Sequence, residues 1–303
     1  METRQSLFYG AVILTILFWG TAYTLIGYSV EYVSPAWIVA VRTTIAAIVL
    51  TIYALLRGHR FPNLRDPVWQ WYGFMGFIGL TLPFYLNARG QVHVESGLTA
   101  VLAGVMPLIT IVLAHFFVKG EHLSWRKGIG FLIGFVGIVL LFLPMPLKWD
   151  LIETWRSQGL ILLTAVCYAA TTIIAKRAPE TSASIGAAMM LLAASIMSLG
   201  WAISTGIPET LPPGSAIVAL VLLALGGTGI VQILYLRIIK IKGPSYIAKM
   251  VYLVPVFSII AGIIFLDEPF SWRSVTALGI IFIGLYISQI RKNVRQKSRK
   301  KSV

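Results

Sequence analysis

Ten apolar runs, each close to the length a helix needs to cross a bilayer, leave this chain few folds to choose from. They cover 7–29, 35–56, 68–88, 96–118, 128–144, 157–175, 183–204, 215–236, 244–266 and 273–290. A spanning helix needs about 20 apolar residues. A membrane strand needs about half that number and alternates in polarity, so continuous runs exclude a β-barrel. Composition agrees: 57% of the 303 residues are hydrophobic and 12% are charged, about half the charged share of a soluble domain. No connector is long enough to hold a soluble domain. The expectation is an all-α integral membrane protein with ten transmembrane helices.

Position explains the net charge of +14. With the N-terminus inside and the spans alternating, 19 of the 25 Lys and Arg fall on the inner side. Arg89, Lys148, Arg156 and Arg273 fall outside, and Arg42 and Lys249 lie within spans. The positive-inside rule then puts both termini in the cytoplasm, which reads as a multi-pass protein of the inner (plasma) membrane. The basic tail, 291–303, carries no interleaved aromatics, so it reads as an anchor beside anionic lipid and not as a nucleic-acid site. No small-residue cleavage pattern interrupts the first run, which reads as a retained span. The single cysteine, Cys167, allows neither an intrachain disulfide nor a cysteine metal site, and no cofactor is expected.

The chain also repeats itself. From Pro107 it reads PLITIVLAHFFVKGEHLSWRKGIGFLIGFVGIVL, and from Pro255 it reads PVFSIIAGIIFLDEPFSWRSVTALGIIFIGL. Pro107 aligns with Pro255, Glu121 with Glu268, Ser124 and Trp125 with Ser271 and Trp272, and Gly137 with Gly284. The units are 1–145 and 146–290, with five runs each. An odd number of spans per unit makes the second enter from the opposite side, and inverted repeats are an architecture of secondary transporters.

F-W-G-T-A-Y at 18–23, with Pro35 and Arg42, resembles the opening helices of an EamA-type domain. L-T-A-V-L-A-G-V-M-P-L-I-T at 98–110 and G-E-H-L-S-W at 120–125 resemble its fourth and fifth. The resemblance covers nearly the whole chain and implies the drug/metabolite transporter superfamily in its ten-helix form. Within it, the chain resembles the YddG-type exporters of aromatic amino acids.

Polar groups inside lipid are costly and are therefore functional candidates. All 11 acidic residues fall outside the ten runs, which disfavours a carrier of organic cations, for which a buried carboxylate would be the counter-ion. Lys249 either snorkels to the cytoplasmic interface or holds a substrate carboxylate. Arg42 and the two prolines Pro107 and Pro255 read as structural or gating residues, the prolines as paired hinges. Trp19, Tyr23, Tyr85, Asn87, Tyr168, Gln232, Tyr246 and Tyr252 join Lys249 as the expected substrate-binding set, which suits an aromatic or apolar zwitterion. Trp37, Trp69, Trp71 and Tyr72, at run ends, read as interfacial belts. Gly73, Gly76 and Gly79, and Gly130, Gly134 and Gly137, read as sites of close helix packing.

The first reading is a non-ATP exporter of small metabolites by alternating access, since no Walker motif occurs. Its partners are a small-molecule substrate and membrane lipid, and it is a monomer or homodimer. A nucleotide-sugar, lipid or drug carrier on the same fold is the closest rival. An intramembrane enzyme lacks its paired carboxylates or Ser–His pair, and a channel lacks its polar rings.

Overall fold

The computed structural model describes residues 2–117, 125–142, 151–175, 177–242, 250–251 and 253–289, and among these residues every regular element is helical. Helices α1 (Glu2–Ser29) and α2 (Pro35–Leu56) come first. Next, α3 (Val68–Gly76) runs through a π-helical turn, Phe77–Thr81, into α4 (Leu82–Gly90). After α5 (Ser96–Ala103), α6 (Met106–Phe117), α7 (Trp125–Phe142), α8 (Leu151–Ala175) and α9 (Ala183–Ser204), the π-helical device recurs. There α10 (Gly214–Ala224) passes through Leu225–Ile230 into α11 (Val231–Lys242). The last two are α12 (Val254–Leu266) and α13 (Trp272–Gln289).

Among the described residues, six stretches are long and apolar enough to cross a membrane: Phe8–Ser29, Pro35–Leu56, Ser96–Phe117, Ile152–Ala175, Ala183–Ser204 and Gly214–Ile239. Val254–Leu266 and Trp272–Ser288 are apolar but shorter. Residues such as Ile13, Ile48, Leu132, Ile196, Leu222, Phe265 and Ile283 are exposed, as expected of a protein whose outer surface meets lipid. Helix α8 begins six residues before its expected run and takes Glu153 and Arg156 into its first turns. Among the described residues, the expectation that no acid enters a span therefore has an exception, Glu153. Its carboxylate is about half exposed and 3.8 Å from Arg156, so the polar turn projects away from the core.

Where lipid is as apolar as leucine, helices associate through small residues and interhelical hydrogen bonds. Helix α2 packs on α9 through Ala40, Ala46, Ala47 and Ala54 on one side and Ala187, Ala188 and Ala194 on the other. Hydrogen bonds Thr43–Ser198 and Thr44–Ser195, both 2.8 Å, fix the register. Pro35 opens α2, where its missing N–H costs nothing, and the Ser182 hydroxyl accepts from Ile185 N–H to start α9. Helix α7 packs on α13, and Gly130 and Gly284 meet backbone to backbone at the crossing. A Cβ at Gly137 would lie 3.0 Å from the Ala277 carbonyl oxygen. Gly76, Gly79 and Gly134 are close-packed as expected, but Gly73 faces open space. Tyr72 is not a belt residue: it is 7% exposed and donates to the Pro179 carbonyl.

Two breaks shape the interior. The chain leaves helical geometry at Gly104–Val105, and α6 restarts with Pro107 in its first turn. It breaks again at Leu253, and α12 restarts with Pro255 in its first turn. A proline there has no N–H to waste and cannot continue the preceding turn. The two breaks face each other: a Cβ at Gly104 would lie 3.1 Å from the Pro255 ring.

Candidate functional site

A cavity of about 110 Å³ lies between the two helix breaks. Ala103 and Met106 flank one break and Val251 and Val254 the other, and all four line the cavity. The π-helical turns supply Gly79 and Leu80 from one side and Gly227 and Thr228 from the other. A π turn rotates the following residues out of α-helical register and often marks a functional site. Here each one brings a glycine and its neighbour to the wall.

The lining follows the repeat. Pro107 and Pro255 are 148 residues apart. The same interval relates Ala103 to Val251, Met106 to Val254, Gly79 to Gly227, Leu80 to Thr228 and Phe84 to Gln232, all of them lining residues. One more residue, 149, relates Trp19 to Tyr168 and Tyr23 to Thr172, also lining residues.

Aromatic rings and a few polar groups make up the chemistry. Trp19 and Tyr235 pack with centroids 5.8 Å apart. Asn87 is 2% exposed, and its Oδ1 is buried without a hydrogen-bond partner among the described residues. Gln232 donates to the Met190 thioether at 3.4 Å. Arg42, 2% exposed, sits at the edge of this set. Its Nε donates to Thr228 Oγ1 at 3.0 Å, and its guanidinium carbon lies 3.6 Å above the Phe84 ring. Both partners line the cavity.

The EamA-like transporter family matches this chain over residues 7–143 and again over 156–289. The chain belongs to that family. As an EamA-like protein it is a membrane transporter and not an enzyme, and its partners are small-molecule substrates and membrane lipid. It is similar to an uncharacterized inner membrane transporter, YedA, of Escherichia coli strain K12, at 29% identity over 96% of this chain and 94% of that protein. An uncharacterized transporter of Archaeoglobus fulgidus is 26% identical over 90% of this chain and 95% of that one. Part of the chain, 43%, is 28% identical to 43% of a probable terminal-alkyne amino-acid exporter of Streptantibioticus cattleyicolor. A solved crystal structure has the same fold, with a TM-score of 0.67 and 23% identity over 92% of this chain and 97% of that one.

Of the expected substrate-binding residues, Trp19, Tyr23, Tyr168 and Gln232 line the cavity of this EamA-like protein. Asn87 is buried but does not line the cavity. Tyr85 is elsewhere, packed against Trp201 with centroids 4.2 Å apart, because the helix turns it towards α9. Tyr246, Lys249 and Tyr252 lie outside the described residues. Phe84, Thr171, Thr172, Met190, Thr228 and Tyr235 line the cavity and were not in the expected set. Applying the repeat interval to Tyr23 reaches Thr172, and that signal was present in the sequence. Nothing of the kind pointed to Thr171.

Proposed function

We propose that this chain is a secondary, non-ATP carrier that exports small metabolites, in particular amino acids with aromatic or apolar side chains, by alternating access. Two inverted five-helix repeats, 1–145 and 146–290, form the carrier. Both termini and the basic tail, 291–303, face the cytoplasm of an inner-membrane protein that acts as a monomer or homodimer. One observation carries the reading: the cavity wall is built from residue pairs separated by the repeat interval. A site on the pseudo-symmetry axis of two repeats can face either side when the repeats exchange conformations. Contacts outside the cavity follow the repeat too, at an interval one residue shorter. Gly130 meets Gly284 and Gly137 meets Ala277, two contacts that interchange when each residue is shifted by 147.

The rings of Trp19, Tyr23, Tyr168 and Tyr235 give the cavity an apolar, aromatic character with few hydrogen-bonding groups, which suits an aromatic or apolar side chain. The relative named as a probable amino-acid exporter points the same way. Purified protein in proteoliposomes should move labelled phenylalanine, tyrosine or tryptophan down a gradient without ATP. Uptake equal to that of empty liposomes for all three would overturn the substrate class.

A further inference from the structure

We propose that Arg42 is the anion anchor of the cavity: it takes a carboxylate, or a comparable anionic group, on a substrate whose remainder is apolar. The proposal rests on the cavity being the transport site.

A guanidinium carries five N–H donors and keeps its charge at any pH a protein meets. Arg42 engages one donor, on Thr228, and presents its face to Phe84. Among the described residues no carboxylate pairs with it. Burying a charge without a counter-ion costs several kcal/mol. A hydroxyl and a ring face offset part of that cost, and among the described residues nothing engages the two terminal nitrogens of the fork, where a carboxylate binds. A purely structural arginine at this depth would be expected to spend its fork on helix carbonyls or an acid, and among the described residues Arg42 does neither.

Arg42 stands directly behind the cavity wall, held by two lining residues, and its counterpart in the other repeat lines the cavity. Arg42 stands 148 residues before Met190, as Phe84 stands 148 before Gln232. The Arg42–Phe84 contact in one half is therefore the counterpart of the Met190–Gln232 contact in the other. Met190, Gln232 and Phe84 all line the cavity. Both positions of this foursome differ between the halves, ring against amide and guanidinium against thioether, but only one of the four side chains is charged. A symmetric scaffold with one charged wall orients its ligand, because the anionic end has a single favourable side.

The test separates the carboxylate from the apolar body. Proteoliposomes with wild type, Arg42→Gln and Arg42→Lys are assayed with labelled phenylalanine, 3-phenylpropionate and 2-phenylethylamine. Arg42→Gln removes the costly charge, so its folding is not at risk on that account. Wild type should favour the two carboxylates over the amine. Arg42→Gln should lose that preference by about 10- to 100-fold, the worth of a charge-assisted hydrogen-bond pair, and Arg42→Lys should keep part of it. An unchanged carboxylate-to-amine ratio in Arg42→Gln overturns the proposal. If none of the three compounds moves, the transport reading fails, and thermal stabilisation by 3-phenylpropionate decides the anchor. Stabilisation of wild type but not of Arg42→Gln supports it; equal stabilisation of both, or of neither, overturns it.

Discussion

The Glu268 carboxylate accepts a hydrogen bond from the Ser96 backbone N–H at 2.6 Å and a second, from Gly97 N–H, at 3.2 Å. These are orphan donors at the start of α5, and an anion there also meets the positive end of the helix dipole. The turn between α12 and α13 is thereby fastened to α5, the helix that ends at the first break. Glu268→Ala should lower stability by about 1–3 kcal/mol, read as a drop in thermal unfolding temperature in detergent. Glu268→Gln, which keeps one acceptor oxygen, should lose less. An unchanged unfolding temperature in both variants would contradict the fastening.

Glu95 stands beside this contact. Partial burial, and then the Glu268 charge, raise its carboxyl above the ordinary value. A raised acid favours the protonated folded state, so ionised Glu95 costs stability. The cost is absent below the ordinary carboxylate range, grows as pH rises through it, and is complete above the raised value. Glu95→Gln should therefore unfold at a higher temperature than wild type near neutral pH, and the difference should vanish on acidification. A difference of the same size at all pH values would mean that charge is not its origin.

Asp267 closes α12 with φ +52°, in the left-handed region. Aspartate tolerates this conformation better than most residues, and a β-branched residue does not. Asp267→Val should cost about 1–2 kcal/mol, whereas Asp267→Gly should be neutral or stabilising. The order of the two unfolding temperatures checks the backbone argument.

At the α7–α13 crossing, Gly130 and Gly284 leave no room for a side chain, whereas Gly128 faces open space. Gly130→Val should destabilise by about 1–3 kcal/mol, and Gly128→Val far less. Equal effects would show that valine's propensity, and not the crossing, is being measured.

Much of this was legible in the chain because lipid imposes simple rules. Apolar length marked each run in which the structure has helix. Pro107 and Pro255 marked both breaks, since a proline cannot continue the turn before it. Mid-run rings drew attention to Trp19, Tyr23 and Tyr168. The π-helical turns were not legible: an i→i+5 turn depends on tertiary packing and leaves no periodic signature. That extra residue of rotation is what turns Thr228 towards Arg42, so the guanidinium's partner could not be found from spacing alone. Tyr85 and Tyr23 are equally aromatic in sequence, and only the neighbouring helix decides which one meets the cavity. The start of α8 was missed because Glu153 and Arg156 read as connector, although both are good helix formers on a helix that outlasts the apolar layer.

In the carrier proposed above, the cavity between the two breaks opens alternately to either side and holds the substrate. With the buried Cys167 replaced by alanine, Val251→Cys places one thiol on the cavity wall. Modification by a membrane-impermeant thiol reagent is measured from each side of oriented proteoliposomes, with and without phenylalanine. The account predicts slow labelling from both sides and protection by phenylalanine. Labelling from one side only, unaffected by phenylalanine, tyrosine or tryptophan, would contradict it.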